Sequence, residues 1–260
     1  MIRFGYNAEL KDAPALAELG YDYIETGLSG LAALDEEEFS RQKQALLATP
    51  LRAEVLNILL PPQLKVVGDT YSRKAAEDYL DGALPRAKQL GAQLVVFGSG
   101  GAKRIPEGFS HSRAMEQLRD FVDLLAKKAQ EYDLLFPIEA LRHEECNCIN
   151  SLAEARELME SAHSPRIRML ADLFHMAAVG ETPADMQALG DTLIHVHIAR
   201  PQSRTSPAPG DGYDYAPFFA ALAEMGYGAR ISFEGKVESL SEEAAVCLET
   251  LKQLCAQAGL

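Results

Sequence analysis

Residues 134–141 read Leu-Leu-Phe-Pro-Ile-Glu139-Ala-Leu, and residues 167–174 read Ile-Arg-Met-Leu-Ala-Asp172-Leu-Phe. Both are short apolar runs of strand character, each broken by a single carboxylate. Between them, residues 152–161 carry a helical pattern. Strand, helix, strand in this order implies two parallel strands joined by a right-handed crossover.

The same alternation extends outward in both directions. Strands are expected upstream at 3–8, 21–26, 51–60 and 93–98, and downstream at 193–199 and 229–234. Helices are expected at 13–19, 36–47, 72–90 and 215–225. Leu118, Phe121, Val122 and Leu125 recur at i, i+3, i+4, i+7, one stripe of an amphipathic helix, and Leu248, Leu251 and Cys255 form another. Eight strand–helix units in 260 residues predict an α/β fold, a closed (β/α)8 TIM barrel spanning 1–260 as one domain. An open doubly wound sheet is the alternative. It usually carries a glycine-rich turn after its first strand, where this chain reads Asn7-Ala8-Glu9-Leu10.

Apolar residues make up 47% and charged residues 24%, which suits a folded globular chain. The formal charge of −13 repels phosphate backbones and anionic lipid, so neither nucleic acid nor membrane is expected as a partner; the same acidity also serves solubility alone. The opening Met1-Ile2-Arg3-Phe4-Gly5-Tyr6 resembles neither a secretory leader nor a transit peptide. No apolar run approaches the roughly 20 residues that cross a bilayer. Four cysteines are too few for a disulfide framework at this length, so all four are read as reduced and the protein as cytoplasmic.

In a barrel of this kind the C-terminal ends of the strands face the active site. Four successive strands end in ionisable residues: Glu139, Asp172, the pair His195 and His197, and Glu234. Taken singly, a carboxylate at a strand end is more often solvated or salt-bridged than a ligand, and either histidine reads as a satisfied core residue. Burying several carboxylates together is costly unless something compensates them, and a divalent cation compensates three at once. Glu139, Asp172, His197 and Glu234 would offer one nitrogen and three oxygens. That mix favours Mn2+, Mg2+ or Co2+, with Zn2+ also open.

The segments Glu139 to Glu145, Asp172-Leu173-Phe174-His175, His195-Val196-His197 and Ser232-Phe233-Glu234 resemble the xylose isomerase-like TIM-barrel superfamily. Within it, the sugar phosphate isomerase/epimerase branch, which includes the ketose 3-epimerases, is most similar. The resemblance runs over nearly the whole chain and is specific in its C-terminal half. It implies that Glu139, Asp172, His197 and Glu234 hold the metal, and that Glu139 and Glu234 double as the acid/base pair. It also implies that Glu145, His175 and an arginine after the seventh strand hold the carbonyl end of a sugar or sugar phosphate. The family spacing puts that arginine at 203, which is Ser203 here; the nearest arginine is Arg204, and Arg200 is a second candidate. Relatives are commonly dimers or tetramers, so a homo-oligomer is one expected arrangement.

The chemistry these residues suit is proton removal beside a carbonyl. Such a proton is far too weakly acidic for an unaided side chain, and a cation on the neighbouring oxygens spreads the developing enediolate charge. Two bases on opposite faces give epimerisation, whereas one base serving two carbons gives aldose–ketose isomerisation. A lyase resembling inosose dehydratase and a non-catalytic sugar-binding protein are the alternatives. An abasic-site endonuclease on this scaffold needs histidines from the early strands, where the first one here is His111.

Three further features are ambiguous. Gly98-Ser99-Gly100-Gly101 with Lys103 and Arg104 reads as a phosphate cradle or as a plain turn. Glu54 and Asn57 are placed to reach the pocket, with a salt bridge as the alternative for Glu54. Residues 207–212, Pro-Ala-Pro-Gly-Asp-Gly, read as a closing loop or a turn. Cys146 and Cys148 match no zinc motif and read as buried thiols.

Overall fold

The computed structural model describes residues 2–260. Eight strands form one parallel sheet: β1 (Arg3–Asn7), β2 (Tyr23–Gly27), β3 (Val55–Asn57), β4 (Leu94–Val95), β5 (Phe136–Glu139), β6 (Ile167–Asp172), β7 (Leu193–Ile198) and β8 (Arg230–Phe233). Their order is β4-β3-β2-β1-β8-β7-β6-β5. Parallel bridges Leu94–Leu135 and Phe97–Ile138 join the two ends. There the Val95 and Phe97 N–H groups donate to the Leu135 and Pro137 carbonyls, both at 2.9 Å, and the barrel closes.

Helices wrap the outside, and their starts follow from local chemistry. Asp35, Ser72, Ser110 and Ser151 each cap a helix by accepting a backbone N–H three residues on. The long helix His111–Glu131 buries the expected stripe of Leu118, Phe121, Val122 and Leu125 against the sheet. Each such side chain contributes about 1.5–3 kcal/mol of burial.

Side chains that alternate along the strands fill the barrel interior in layers. At the N-terminal end, Arg230 grips Glu54 at 2.7 Å and Arg3 pairs with the same carboxylate. Glu54 therefore belongs to the floor of the barrel and not to the pocket, because it precedes β3 while Asn57 ends it. Above lies an apolar layer of Tyr23, Val55, Leu94, Val96 and Leu170. Tyr23 hydrogen-bonds Ser232 across the barrel at 2.8 Å, and Gly5 leaves the room that the Tyr23 ring occupies. The top layer is polar, and it is the site described below.

Several elements differ from the sequence expectation. The ladder of the third strand covers only Val55–Asn57 of the expected 51–60, because Ile58 takes a left-handed φ of 46° and two prolines follow Leu60. Phe174 lies in the helix Leu173–Val179 and not in a strand. Asp172 caps that helix, accepting the Phe174 N–H at 2.7 Å. A register shift at Met169/Leu170 sets Asp172 opposite His197.

Candidate active site

The C-terminal mouth of the barrel opens into a cleft of about 360 Å³. Glu139, Asp172, His197 and Glu234 meet at its floor, with one potential ligand atom from each lying within 4.8 Å of the others. His197 Nδ1 stands 3.1 Å from Glu139 Oε1 and 3.6 Å from Glu234 Oε2. Asp172 uses Oδ1 for the helix cap, whereas its buried Oδ2 has no hydrogen-bond partner.

Burial, reinforced by the neighbouring Glu139 and Glu234 carboxylates, pushes the Asp172 carboxyl up to about 8. Burial alone would lower His197, but the Glu25, Glu234 and Glu139 carboxylates outweigh it and hold the imidazole well above its ordinary range. Burial brings His175 down to about 4, so the ring is neutral at pH 7. Its Nδ1 accepts the Arg142 N–H at 3.3 Å, which leaves the proton on Nε2, 3.6 Å from Asp172 Oδ2.

The donor set fits a hard divalent cation. It offers three oxygens and one nitrogen, and one of those oxygens is buried and unpartnered.

Arg204, not Arg200, reaches this cluster. Its left-handed backbone, with φ of 58°, turns the side chain inward. Nη1 donates to Glu145 Oε1 at 2.9 Å and Nη2 to Glu234 Oε2 at 3.0 Å. Arg142 also donates to Glu145 Oε1 at 2.9 Å, and both guanidinium groups lie against the Phe174 ring, at 4.7 and 4.8 Å. Asn57 donates to Glu234 Oε1 at 2.7 Å. Thus Glu139, Glu145, Asp172, His175, His197, Arg204 and Glu234 all lie on this cleft or beneath it, whereas Arg200 is not part of its lining.

The glycine-rich turn serves packing. A Cβ at Gly98 would overlap Glu139 Oε2, and one at Gly100 would come within 2.8 Å of the Glu145 carbonyl. Lys103 is fully buried, donating at 2.8 Å to the Glu139 carbonyl, and Arg104 donates to the Glu144 carbonyl. Neither cation faces the cleft. The four cysteines are free and buried, with Cys146 and Cys148 Sγ atoms 3.7 Å apart.

Sequence reasoning missed Glu25. It is fully buried on β2, with Oε1 2.7 Å from His197 Nε2 and Oε2 3.0 Å from His195 Nε2. A lone carboxylate in the run Tyr23-Ile24-Glu25-Thr26 is the same signal that marks the fifth, sixth and eighth strands.

A family model described as xylose isomerase-like TIM barrel matches residues 13–255. The chain belongs to the xylose isomerase-like TIM-barrel family. This family member is 27% identical over 227 residues to L-ribulose 3-epimerase of Methylomonas sp. (strain DH-1), a match covering 84% of this chain and 75% of the relative. It is 24% identical over 232 residues to D-psicose 3-epimerase of Enterocloster bolteae, covering 82% and 71%. Its fold matches the D-allulose 3-epimerase of Methylomonas sp., solved in complex with D-allulose, with a TM-score of 0.84 at 22% identity over 97% of this chain and 96% of that one. Among the described residues, no helix is long and apolar enough to cross a membrane.

Proposed function

We propose that this family member is a divalent-cation-dependent sugar epimerase, an isomerase that inverts a carbon beside the carbonyl of an unphosphorylated ketose. The observation that carries the reading is the convergence of Glu139, Asp172, His197 and Glu234 around an unpartnered buried carboxylate oxygen, beneath an open cleft. Its relatives named as ketose 3-epimerases support the reaction class.

Glu139, Asp172, His197 and Glu234 would hold the cation, which when bound supplies Lewis-acid stabilisation of negative charge on the substrate's oxygens. Glu139 stands on β5 and Glu234 just past β8, with β6 and β7 between them. Two carboxylates on separate walls suit removal of a proton from one face of the carbon and its return to the other. Arg204 and Glu145 would orient the carbonyl end. His175 is neutral, with its proton on an Nε2 that has no hydrogen-bond partner, which suits a hydrogen bond to a sugar oxygen.

The cleft also argues against a phosphate. Arg204 is the cation on its lining, and it is already paired with Glu145 and Glu234. The rest of the wall is formed by residues such as Ile58, Leu60, Pro62, Ser99 and Leu141, and the Ser99 hydroxyl already accepts the Leu60 N–H at 3.0 Å. An added phosphate would meet carboxylates and no unpaired side-chain cation on this lining.

The test is product analysis of Mn2+-loaded protein against a panel of free ketopentoses, ketohexoses and their phosphate esters. The expected result is conversion of free ketoses to their epimers at the carbon beside the carbonyl. No turnover of any free ketose, or turnover of the esters alone, contradicts the reading.

A further inference from the structure

Glu25 has no part in the reaction scheme, yet it is fully enclosed in the barrel directly beneath the four-residue cluster. Its two oxygens face two imidazoles: His197 Nε2 at 2.7 Å and His195 Nε2 at 3.0 Å. The opposite nitrogen of His197, Nδ1, faces Glu139 at 3.1 Å and Glu234 at 3.6 Å. The opposite nitrogen of His195 is buried without a partner.

An ionised carboxylate only accepts hydrogen bonds, so both Nε2 atoms must carry protons to meet it. An imidazole binds a cation through a bare nitrogen, and the hydrogen bond at the other nitrogen selects which one is bare. With Nε2–H fixed on Glu25, the lone pair of His197 falls on Nδ1, the atom that faces the cluster. An amide at position 25 would break this arrangement, because it offers one oxygen and one NH2 to two Nε2 atoms. One histidine would then have to change its tautomer or lose its bond.

We propose that Glu25 is a positioning residue: it accepts the Nε2–H of both His195 and His197 and so turns the bare Nδ1 of His197 toward the cation site. The proposal rests on the reading of Glu139, Asp172, His197 and Glu234 as that site. A rival arrangement places a second cation among Glu25, His195 and His197, which also lie close enough together to hold one. Such an ion would have to displace both of the hydrogen bonds that Glu25 accepts.

The experiment is Mn2+ titration of metal-free wild-type protein, Glu25→Gln and Glu25→Asp by calorimetry, with circular-dichroism melts of each metal-free form. It is joined by a histidine nitrogen-15 correlation spectrum of the Zn2+-loaded wild type. Wild type should bind one Mn2+ per chain. Glu25→Gln should lose about 10–100-fold in affinity while remaining folded, and Glu25→Asp should recover part of the loss. The spectrum should show His197 with its proton on Nε2.

Unchanged Mn2+ affinity in Glu25→Gln, a proton on Nδ1 of His197 in the loaded protein, or two ions per chain would each overturn the proposal. If Glu25→Gln fails to fold, the wild-type spectrum decides alone. Absence of Mn2+ binding by the wild type would instead refute the cation site itself, and this inference with it.

Discussion

Arg204 Nη2 stands 3.0 Å from Glu234 Oε2 while Nη1 of the same guanidinium holds Glu145 Oε1 at 2.9 Å. One planar cation thereby fixes two carboxylates with distinct proposed roles, and the Phe174 face supports it from the side. Replacing it by alanine leaves Glu145 to Arg142 and Glu234 to Asn57, with no group joining the two carboxylates and one positive charge fewer beside Glu139 and Asp172. Arg204→Ala should lower kcat/KM by about 10²–10³-fold, and Arg204→Lys should recover little, because an ammonium does not span two carboxylates in this geometry. Steady-state kinetics on the best ketose of the panel checks both.

Gly98 gives Glu139 its place. A methyl group there would overlap Glu139 Oε2, and Lys103 behind β5 ties down the Glu139 backbone, so the carboxylate must swing away. Gly98→Ala should therefore lower kcat by about 10²-fold or more while the chain stays folded, since misplacement of a reacting group by about 1 Å is enough. A crystal structure of the variant should show Glu139 displaced.

Asp172 carries opposite consequences for stability and for function. Its carboxyl is pushed up to about 8 in the metal-free fold, whereas an unfolded aspartate ionises near 4. Over that interval the folded state holds a proton that the unfolded state has released. This group therefore makes metal-free stability fall as pH rises from about 4 to about 8. Asp172→Asn keeps an oxygen for the Phe174 cap, removes that slope, and should raise metal-free stability at pH 8 by about 1 kcal/mol or more. The same variant should bind Mn2+ at least about 10²-fold more weakly. Denaturant melts across pH, paired with titrations, test both halves.

Much of the barrel is legible in the chain because its signals are local. Alternating strand and helix runs set the topology, and a lone carboxylate at the end of an apolar run marked Glu139, Asp172 and Glu234. The Glu25 pairing was not legible, since it depends on β2 and β7 facing each other across a closed barrel, a relation with no trace in residue spacing. The same holds for Glu54. Its partners Arg3 and Arg230 come from the two ends of the chain, and only the direction of β3 decides that it lies in the floor. Arg204 was preferred by spacing over Arg200, but its inward turn depends on a left-handed backbone that an arginine rarely adopts. Short helices such as Leu173–Val179 escape periodicity because two turns hold too few apolar repeats.

Cation binding should also release protons. In the metal-free fold Asp172 is protonated below about 8 and His197 is held cationic by its carboxylate neighbours. A bound cation needs a bare oxygen and a bare Nδ1, so close to two protons should leave per ion at pH 7. Apparent affinity should climb with pH, and less steeply above about 8, where Asp172 has already lost its proton and only that of His197 is left to release. Titrations at pH 7 in buffers of different ionisation enthalpy give the proton count directly, and a count near zero contradicts the ligand assignment.

Solvent isotope exchange tests the account most directly. Mn2+-loaded protein is incubated with a free ketose in D2O, and deuterium is located by NMR in recovered substrate and product. Incorporation should occur at the carbon beside the carbonyl in wild type, and should fall by at least about 10³-fold in Glu139→Gln and in Glu234→Gln. Epimerisation without any deuterium uptake, or undiminished exchange in both variants, would contradict the assignment of these two carboxylates as the proton-transferring pair.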